Sequence, residues 1–204
     1  MSFSTKADQL ALVKESIIKD RICSELAAGS KQLVFGSGDP DSEIVFVGEA
    51  PGKKEDESGL PFVGRAGNFL NQMLELIALD RSKVYITNIV KYRPPNNRDP
   101  LPEEKREFLP YLQRQLEIIR PRLVVALGRH AGSCFMPHLI IGQDHGKAKR
   151  IALNFSDSEL KIVFLPLFHP AAALYNGSMK QTLIDDFMLI PKIMELDILT
   201  KKIK

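Results

Sequence analysis

Glu49, Glu55, Phe62, Asn88 and His169 are the residues of this chain whose types and settings could do chemistry. Three of them lie in the stretch 48–67, GEAPGKKEDESGLPFVGRAG, which holds five glycines and two prolines. Such a backbone can approach a ligand closely. The acids Glu49, Glu55, Asp56 and Glu57 argue against simple phosphate cradling, and neither G-x-x-x-x-G-K-[ST] nor G-x-G-x-x-G spacing is present. A pocket lined by carboxylates and one aromatic ring, Phe62, is what remains. Each residue carries two readings. Asn88 either caps a local turn or presents the acceptor and donor of its amide to a pyrimidine edge. His169 is either a satisfied structural histidine or a member of the site. Phe62 is either core or a platform on which a base stacks. Glu49 and Glu55 are either solvated loop acids or working carboxylates. Joint placement favours the functional readings, because all five fall at or beyond the ends of apolar runs. His130, His138 and His145 read as structural or surface residues.

Those runs define the elements that must position the site. Ile44 to Val47 reads as a buried parallel strand, followed by the loop 48–67 and a helix over 64–79 whose apolar positions include Phe69, Leu70, Met73 and Leu74. An amphipathic helix over 6–28 precedes them, handing over through the turn residues 36–41. A second strand over 84–88 runs into the Pro/Asn-rich loop 91–100. Pro102 with Glu103 and Glu104 opens a helix to residue 119, since proline loses nothing in the first turn and acids suit the helix dipole there. Strands at 123–128 and 162–166 and a helix over 178–199 complete the chain. Strands separated by helices imply right-handed crossovers, a mostly parallel sheet and helices on both faces. One rim of that sheet then carries residues 48–62, Asn88 and 168–174, where open α/β sheets place their ligands.

Composition sets the bounds. At 204 residues and 44% hydrophobic content the chain makes one globular domain, 1–204, with neither repeat nor linker. The net charge of +3 is mild, although Lys/Arg cluster at 91–98 and at 147–150 and suggest a basic face. The first residues lack the apolar core of a signal peptide, and no apolar run approaches the roughly 20 residues that span a bilayer. A cytoplasmic protein with no membrane association is expected. The two cysteines, Cys23 and Cys134, are too few for a four-thiolate site and read as free thiols in a reducing compartment.

Three ordered motifs carry a resemblance. GEAPG at 48–52 with Glu55, Asp56 and PFVG at 61–64, then TNIVK at 87–91 with RPPNNR at 93–98, then HPAAAL at 169–174, resemble the uracil-DNA glycosylase superfamily, and family four in particular. The resemblance covers about residues 20 to 195. It implies a three-layer α-β-α sandwich around a four-stranded parallel sheet, and removal of uracil from DNA to leave an abasic site. The protein is accordingly expected to act as a monomer on uracil-containing DNA. Family-four enzymes typically hold an iron-sulphur cluster on four cysteines; the corresponding positions here are Arg21, Ser24, Tyr92 and Phe108. The cluster is therefore expected to be absent, with Tyr92 and Phe108 forming a hydrophobic patch beside Ile22 and Leu26 and with Arg21 near Tyr92. The chain also lacks the histidine-bearing insertion after Lys91 by which a related branch bonds covalently to uracil, so turnover is expected.

The resemblance assigns roles. Phe62 would stack on uracil, Asn88 would bond N3–H and O4, and His169 would donate to the O2 anion, assisted by the backbone N–H groups of Glu49 and Ala50. Some relatives place an aspartate where Ala50 stands, so the carboxylate that faces the sugar cation or its water must come from elsewhere, with Glu55 ranked first and Glu49 second. Lys91, Arg93 and Arg98 would contact phosphates. Pro170 and Ala171 to Leu174 would form a minor-groove wedge with Leu174 at its tip. Two competing functions share this scaffold: a protein that binds uracil or damaged DNA without cleaving it, and a glycosylase for another deaminated base such as hypoxanthine.

Overall fold

Strands covered on both faces carry continuous apolar runs, and alternate residues serve opposite layers. The computed structural model describes residues 4–202 apart from 157 and 175, with backbone only for 198–202. In chain order the elements are α1 (Lys6–Lys19), α2 (Ser24–Gly29), β1 (Ser37–Gly38), β2 (Ile44–Gly48), α3 (Lys53–Ser58), α4 (Arg65–Leu76), β3 (Tyr85–Asn88) and α5 (Pro102–Ile119). There follow β4 (Leu123–Leu127), α6 (Arg129–Phe135), α7 (Ile141–Asp144), β5 (Lys149–Asn154), β6 (Glu159–Leu167), α8 (Pro170–Ala173), α9 (Gly177–Phe187) and α10 (Leu189–Lys202).

The sheet order is β1-β3-β2-β4-β6-β5. Its four central strands are parallel, as the resemblance implies, but antiparallel edges β1 and β5 extend it to six. Both edges escape the sequence reading because β1 is a two-residue Ser-Gly pairing and β5 alternates with its Lys149 and Arg150 end exposed. Val45, Val47, Val124, Ala126 and Phe164 face α1, α5 and α6, whose Ile17, Phe108, Leu112 and Ala131 complete one core layer. Their neighbours Phe46, Leu123, Val125 and Leu165 face α4, α9 and α10 through Leu70, Leu74, Phe187 and Ile190. The three-layer sandwich is thus present.

Register puts the functional ends together. Gly48 pairs with Asn88, Val47 with Ala126, and Leu127 with Leu167, so every parallel strand delivers its carboxyl end to one rim. Three boundaries differ from expectation. The N-terminal helix breaks between α1 and α2, where Arg21 and Cys23 adopt left-handed φ of 54° and 49°. The helical period persists across the break because Ile17 and Leu26 still reach the same core. The C-terminal helix divides at Met188 into α9 and α10. Finally, a helix, α3, forms inside the 48–67 loop. Its signal is Gly52-x-x-Glu55, in which the N3 carboxylate accepts the Gly52 N–H at 3.1 Å.

Candidate active site

A cavity of about 370 Å³ opens at this rim, lined among others by Glu49, Glu55, Phe62, Asn88, His169 and Ala171. Asn88, the last residue of β3, is buried, and its Oδ1 has no hydrogen-bond partner among the described residues. A buried acceptor without a donor costs about 1–3 kcal/mol, which a ligand N–H would recover. Opposite Asn88 in register, Gly48 keeps the approach open: a Cβ there would collide with Asn88 Oδ1 and with the Phe62 ring. Phe62 itself sits at φ 52°, a left-handed conformation rare for a bulky residue and costing about 1–3 kcal/mol.

His169 follows β6 and caps α8. Its Nδ1 accepts the Ala171 N–H at 3.1 Å, so the neutral ring carries its proton on Nε2. Burial pushes its pKa down to about 4, outweighing the pull of Glu55 toward the charged form. Gly128, at φ +93°, leaves room for the ring, since a Cβ there would come to 3.0 Å from His169 Cβ. The Phe62 and His169 rings lie 5.8 Å apart at 31°. The cavity therefore combines an aromatic face, an amide edge and a neutral imidazole donor.

Its carboxylates differ. Glu55 Oε1 accepts from the backbone N–H groups of Val63 (2.9 Å) and Gly64 (2.7 Å), and Oε2 from Gly52, so this side chain ties α3 to the loop before α4. Glu49 makes no comparable backbone tie; its Oε1 lies 3.8 Å from His130 Nε2. Burial raises the Glu49 pKa, opposed by His130. His130, read from sequence as structural or surface, stands at the site margin, where its Nε2 is 3.0 Å from Asp99 Oδ2 and Arg129 also reaches Asp99 at 2.8 Å. No motif signals this cluster, because the loop 91–100 and α6 meet only in the tertiary structure.

One assigned DNA contact, Lys91, does not stand. Lys91 is fully buried, with Nζ bonded to Thr87 Oγ1 (2.7 Å), the Asn88 carbonyl (2.6 Å) and Gln115 Oε1 (2.6 Å), so it cannot reach a phosphate. It lies three residues beyond Asn88, the end of β3, and its carbonyl accepts the Val34 N–H at 2.8 Å. Pro170 is buried as the first residue of α8. Arg98 lines the cavity, but its guanidinium forks onto Glu104, which also accepts the Leu101 N–H. Arg93 remains half-buried at the surface, its Nε bonded to Asn97 at 2.8 Å. Ala171 borders the cavity, and half-buried Leu174 borders an adjoining groove with Arg65, Phe69 and Lys180.

Of the four positions that the family resemblance matches to cluster cysteines, Tyr92 and Phe108 pack edge-to-face at 6.0 Å within the core that contains Cys23 and Leu26, with Ile22 against it. Arg21 is exposed, and it is Cys23 that enters this patch: its N–H is held by Glu107 at 2.9 Å and its thiol is buried. Burial raises the thiol pKa to about 12, so no reactive thiolate forms there. The described residues present no group of cysteine ligands, and both cysteines are free. No helix among them is long and apolar enough to cross a membrane.

The fold is a mostly parallel α/β sandwich whose strand ends hold a cavity with an aromatic face and hydrogen-bonding side chains. Residues 35–188 match the family model of the Uracil DNA glycosylase superfamily. The chain is 42% identical over 199 residues to a Type-4 uracil-DNA glycosylase of Sulfurisphaera tokodaii, covering 96% of this chain and 88% of that one. It is 42% identical over 187 residues to the Type-4 enzyme of Archaeoglobus fulgidus (89% and 91% covered), and 40% identical over 174 residues to that of Thermotoga maritima (85% and 88%). The chain belongs to the uracil-DNA glycosylase superfamily.

Proposed function

We propose that this protein is a uracil-DNA glycosylase of DNA repair, which extrudes uracil from DNA and hydrolyses its N-glycosidic bond to leave an abasic site. The observation that carries the reading is the orphaned Oδ1 of Asn88 in a cavity that also holds the Phe62 face and the His169 donor. Uracil N3–H satisfies that oxygen, and uracil O4 accepts from the amide nitrogen. Cytosine, with an acceptor at N3 and a donor at C4, mismatches both. Extrusion from the stack costs a few kcal/mol, which stacking against Phe62 and the new hydrogen bonds offset.

In the bond-breaking step the electron pair of C1′–N1 stays on uracil and the sugar becomes cationic. His169 is suited to the base side because it is neutral: its Nε2–H donates to O2 as negative charge grows, and burial makes that donor effective without reorganisation. The backbone N–H groups of Glu49 and Ala50 supplement it. On the sugar side we rank Glu49 ahead of Glu55. Glu55 spends both oxygens on backbone N–H groups, whereas Glu49 keeps its carboxylate available to the cation and to the water that attacks C1′. The water oxygen bonds C1′, its proton passes to Glu49, and solvent protonates the departing uracil anion.

No iron-sulphur chemistry enters this reading. Two cysteines and a Tyr92–Phe108 ring contact do not fit a four-thiolate cluster, and we read the purified protein as colourless and free of iron. We further read it as a monomeric, cytoplasmic enzyme, in keeping with its two free thiols. The test is release of free base from DNA holding uracil, hypoxanthine or cytosine at one site. Uracil release that is lost in Asn88→Ala supports the reading; tight binding without base release gives the protein a recognition role, and preferential hypoxanthine release reassigns the base.

A further inference from the structure

His130 stands where Glu49 and Asp99 meet. One oxygen of each acid and a ring nitrogen of His130 all lie within 4.8 Å of one another. Nε2 is 3.0 Å from Asp99 Oδ2 and 3.8 Å from Glu49 Oε1, while Nδ1 is 3.4 Å from Lys105 Nζ. Both carboxylates call for a hydrogen on Nε2, which the Nε2–H tautomer and the imidazolium alike supply. The Nδ1–H tautomer would set a lone pair against Asp99 and an N–H against Lys105, which only donates; the Arg129 Nε contact at 3.2 Å is all that favours it. Arg129 meets Asp99 through Nη2 in any case. The ring is therefore a donor toward the acids whether or not it is protonated.

Two carboxylates this close disfavour each other's ionisation, and a donor between them offsets the repulsion. The balance matters at Glu49, the carboxylate proposed as the base, which must be ionised to take the proton of the attacking water. Burial and the charge of Asp99 raise its pKa, whereas His130, Lys105 and Arg129 lower it. Of these three only His130 lies within 4 Å of the Glu49 carboxylate. We propose that His130 is a positioning residue for uracil excision: anchored by Asp99, it presents its Nε2–H to the Glu49 carboxylate and holds that group ionised and in place. This deepens the glycosylase reading and rests on it. The other titratable or charged groups on the cavity wall are Glu55, Arg65, Arg98 and His169, and the variants that test His130 leave all four intact.

The test is the pH profile of single-turnover cleavage of uracil-containing DNA, at saturating enzyme, by wild type, His130→Leu, His130→Gln and Asp99→Asn. Leucine keeps bulk and loses the donor; glutamine keeps an N–H. His130→Leu should displace the rising limb upward, slowing cleavage about tenfold on the slope while the high-pH plateau stays within about threefold of wild type, because Glu49 is ionised there in every variant. Asp99→Asn removes the opposing charge and releases the Nε2–H to Glu49, so it should displace the limb downward and speed cleavage on the slope. His130→Gln should fall nearer to wild type than His130→Leu does. Asp99 is exposed, so Asp99→Asn carries the test should the His130 variants fail to fold. Limbs that coincide with wild type, or an equal loss of rate at every pH, would leave His130 a merely structural part and overturn the inference. A wild type that releases no uracil at any pH would instead overturn the glycosylase reading itself.

Discussion

At the scale of single residues, the site separates groups proposed to touch the base from groups that hold the backbone, and kinetics can tell them apart. His169→Ala should lower the single-turnover rate about 10²- to 10³-fold while leaving DNA affinity nearly unchanged, because the donor acts mainly on developing charge. Weaker binding with an unchanged rate would remove His169 from the chemistry. The same histidine has a signature in stability. Its folded pKa, about 4, lies below the ordinary 6.5. The unfolded chain therefore binds more protons between those values, and the contribution, on the order of 3 kcal/mol, is present above pH 6.5 and lost as pH falls toward 4. Urea titrations at pH 5 and pH 7 should show about 2 kcal/mol of that difference in wild type and lose much of it in His169→Ala. For the glutamates, Glu49→Gln should slow cleavage more than Glu55→Gln. Because burial raises the Glu49 pKa, the wild-type rate should climb with pH along a limb displaced upward from the ordinary glutamate value, and Glu49→Gln should flatten it. The opposite ranking, measured by single-turnover rates, would return the role to Glu55.

At the scale of elements, Glu55 shows how a loop becomes rigid. One carboxylate collects N–H groups from both ends of the 52–64 segment, so Glu55→Gln should act on stability, by about 1–3 kcal/mol, before it acts on chemistry. The patch beneath the 91–100 loop works by packing instead. Phe108 is fully buried, meets Tyr92 edge-on, and joins α5 to the α1–α2 break. Phe108→Ala should cost about 3 to 5 kcal/mol and lower the melting temperature by roughly 10 °C, with weaker DNA binding as the Arg93 to Arg98 loop loosens. A variant as stable as wild type would show that ring packing is not what ties these elements together.

At the scale of the whole molecule, α10 locks the layers. Asp197 is buried and bonds Arg122, which precedes β4, at 3.0 Å and Arg150 of β5 at 2.9 Å; Arg122 also donates to the Met194 carbonyl. One carboxylate thus joins the last helix to a central strand and to the sheet edge. Removing it leaves the largely buried Arg122 short of its main counter-charge, so Asp197→Ala should cost about 3 kcal/mol in thermal or urea unfolding. Because this tie lies at the opposite ends of the strands from the cavity, the rate on uracil-containing DNA should survive in the folded fraction.

The sequence by itself determined the four central strands, most helices and the rim, because continuous apolar runs and helical periods report burial locally. It also brought Glu49, Phe62, Asn88 and His169 to one place, through chain topology alone. Partner choice was beyond it. Lys91 reads as a surface cation and Glu55 as a free acid until Gln115, 24 residues away, and the Val63 and Gly64 amides are found against them. Likewise the Glu49–His130–Asp99 cluster exists only where two loops and α6 converge. Charge and hydrogen bonding are settled by neighbours in space, and residue type and spacing along the chain carry no record of which neighbours those will be.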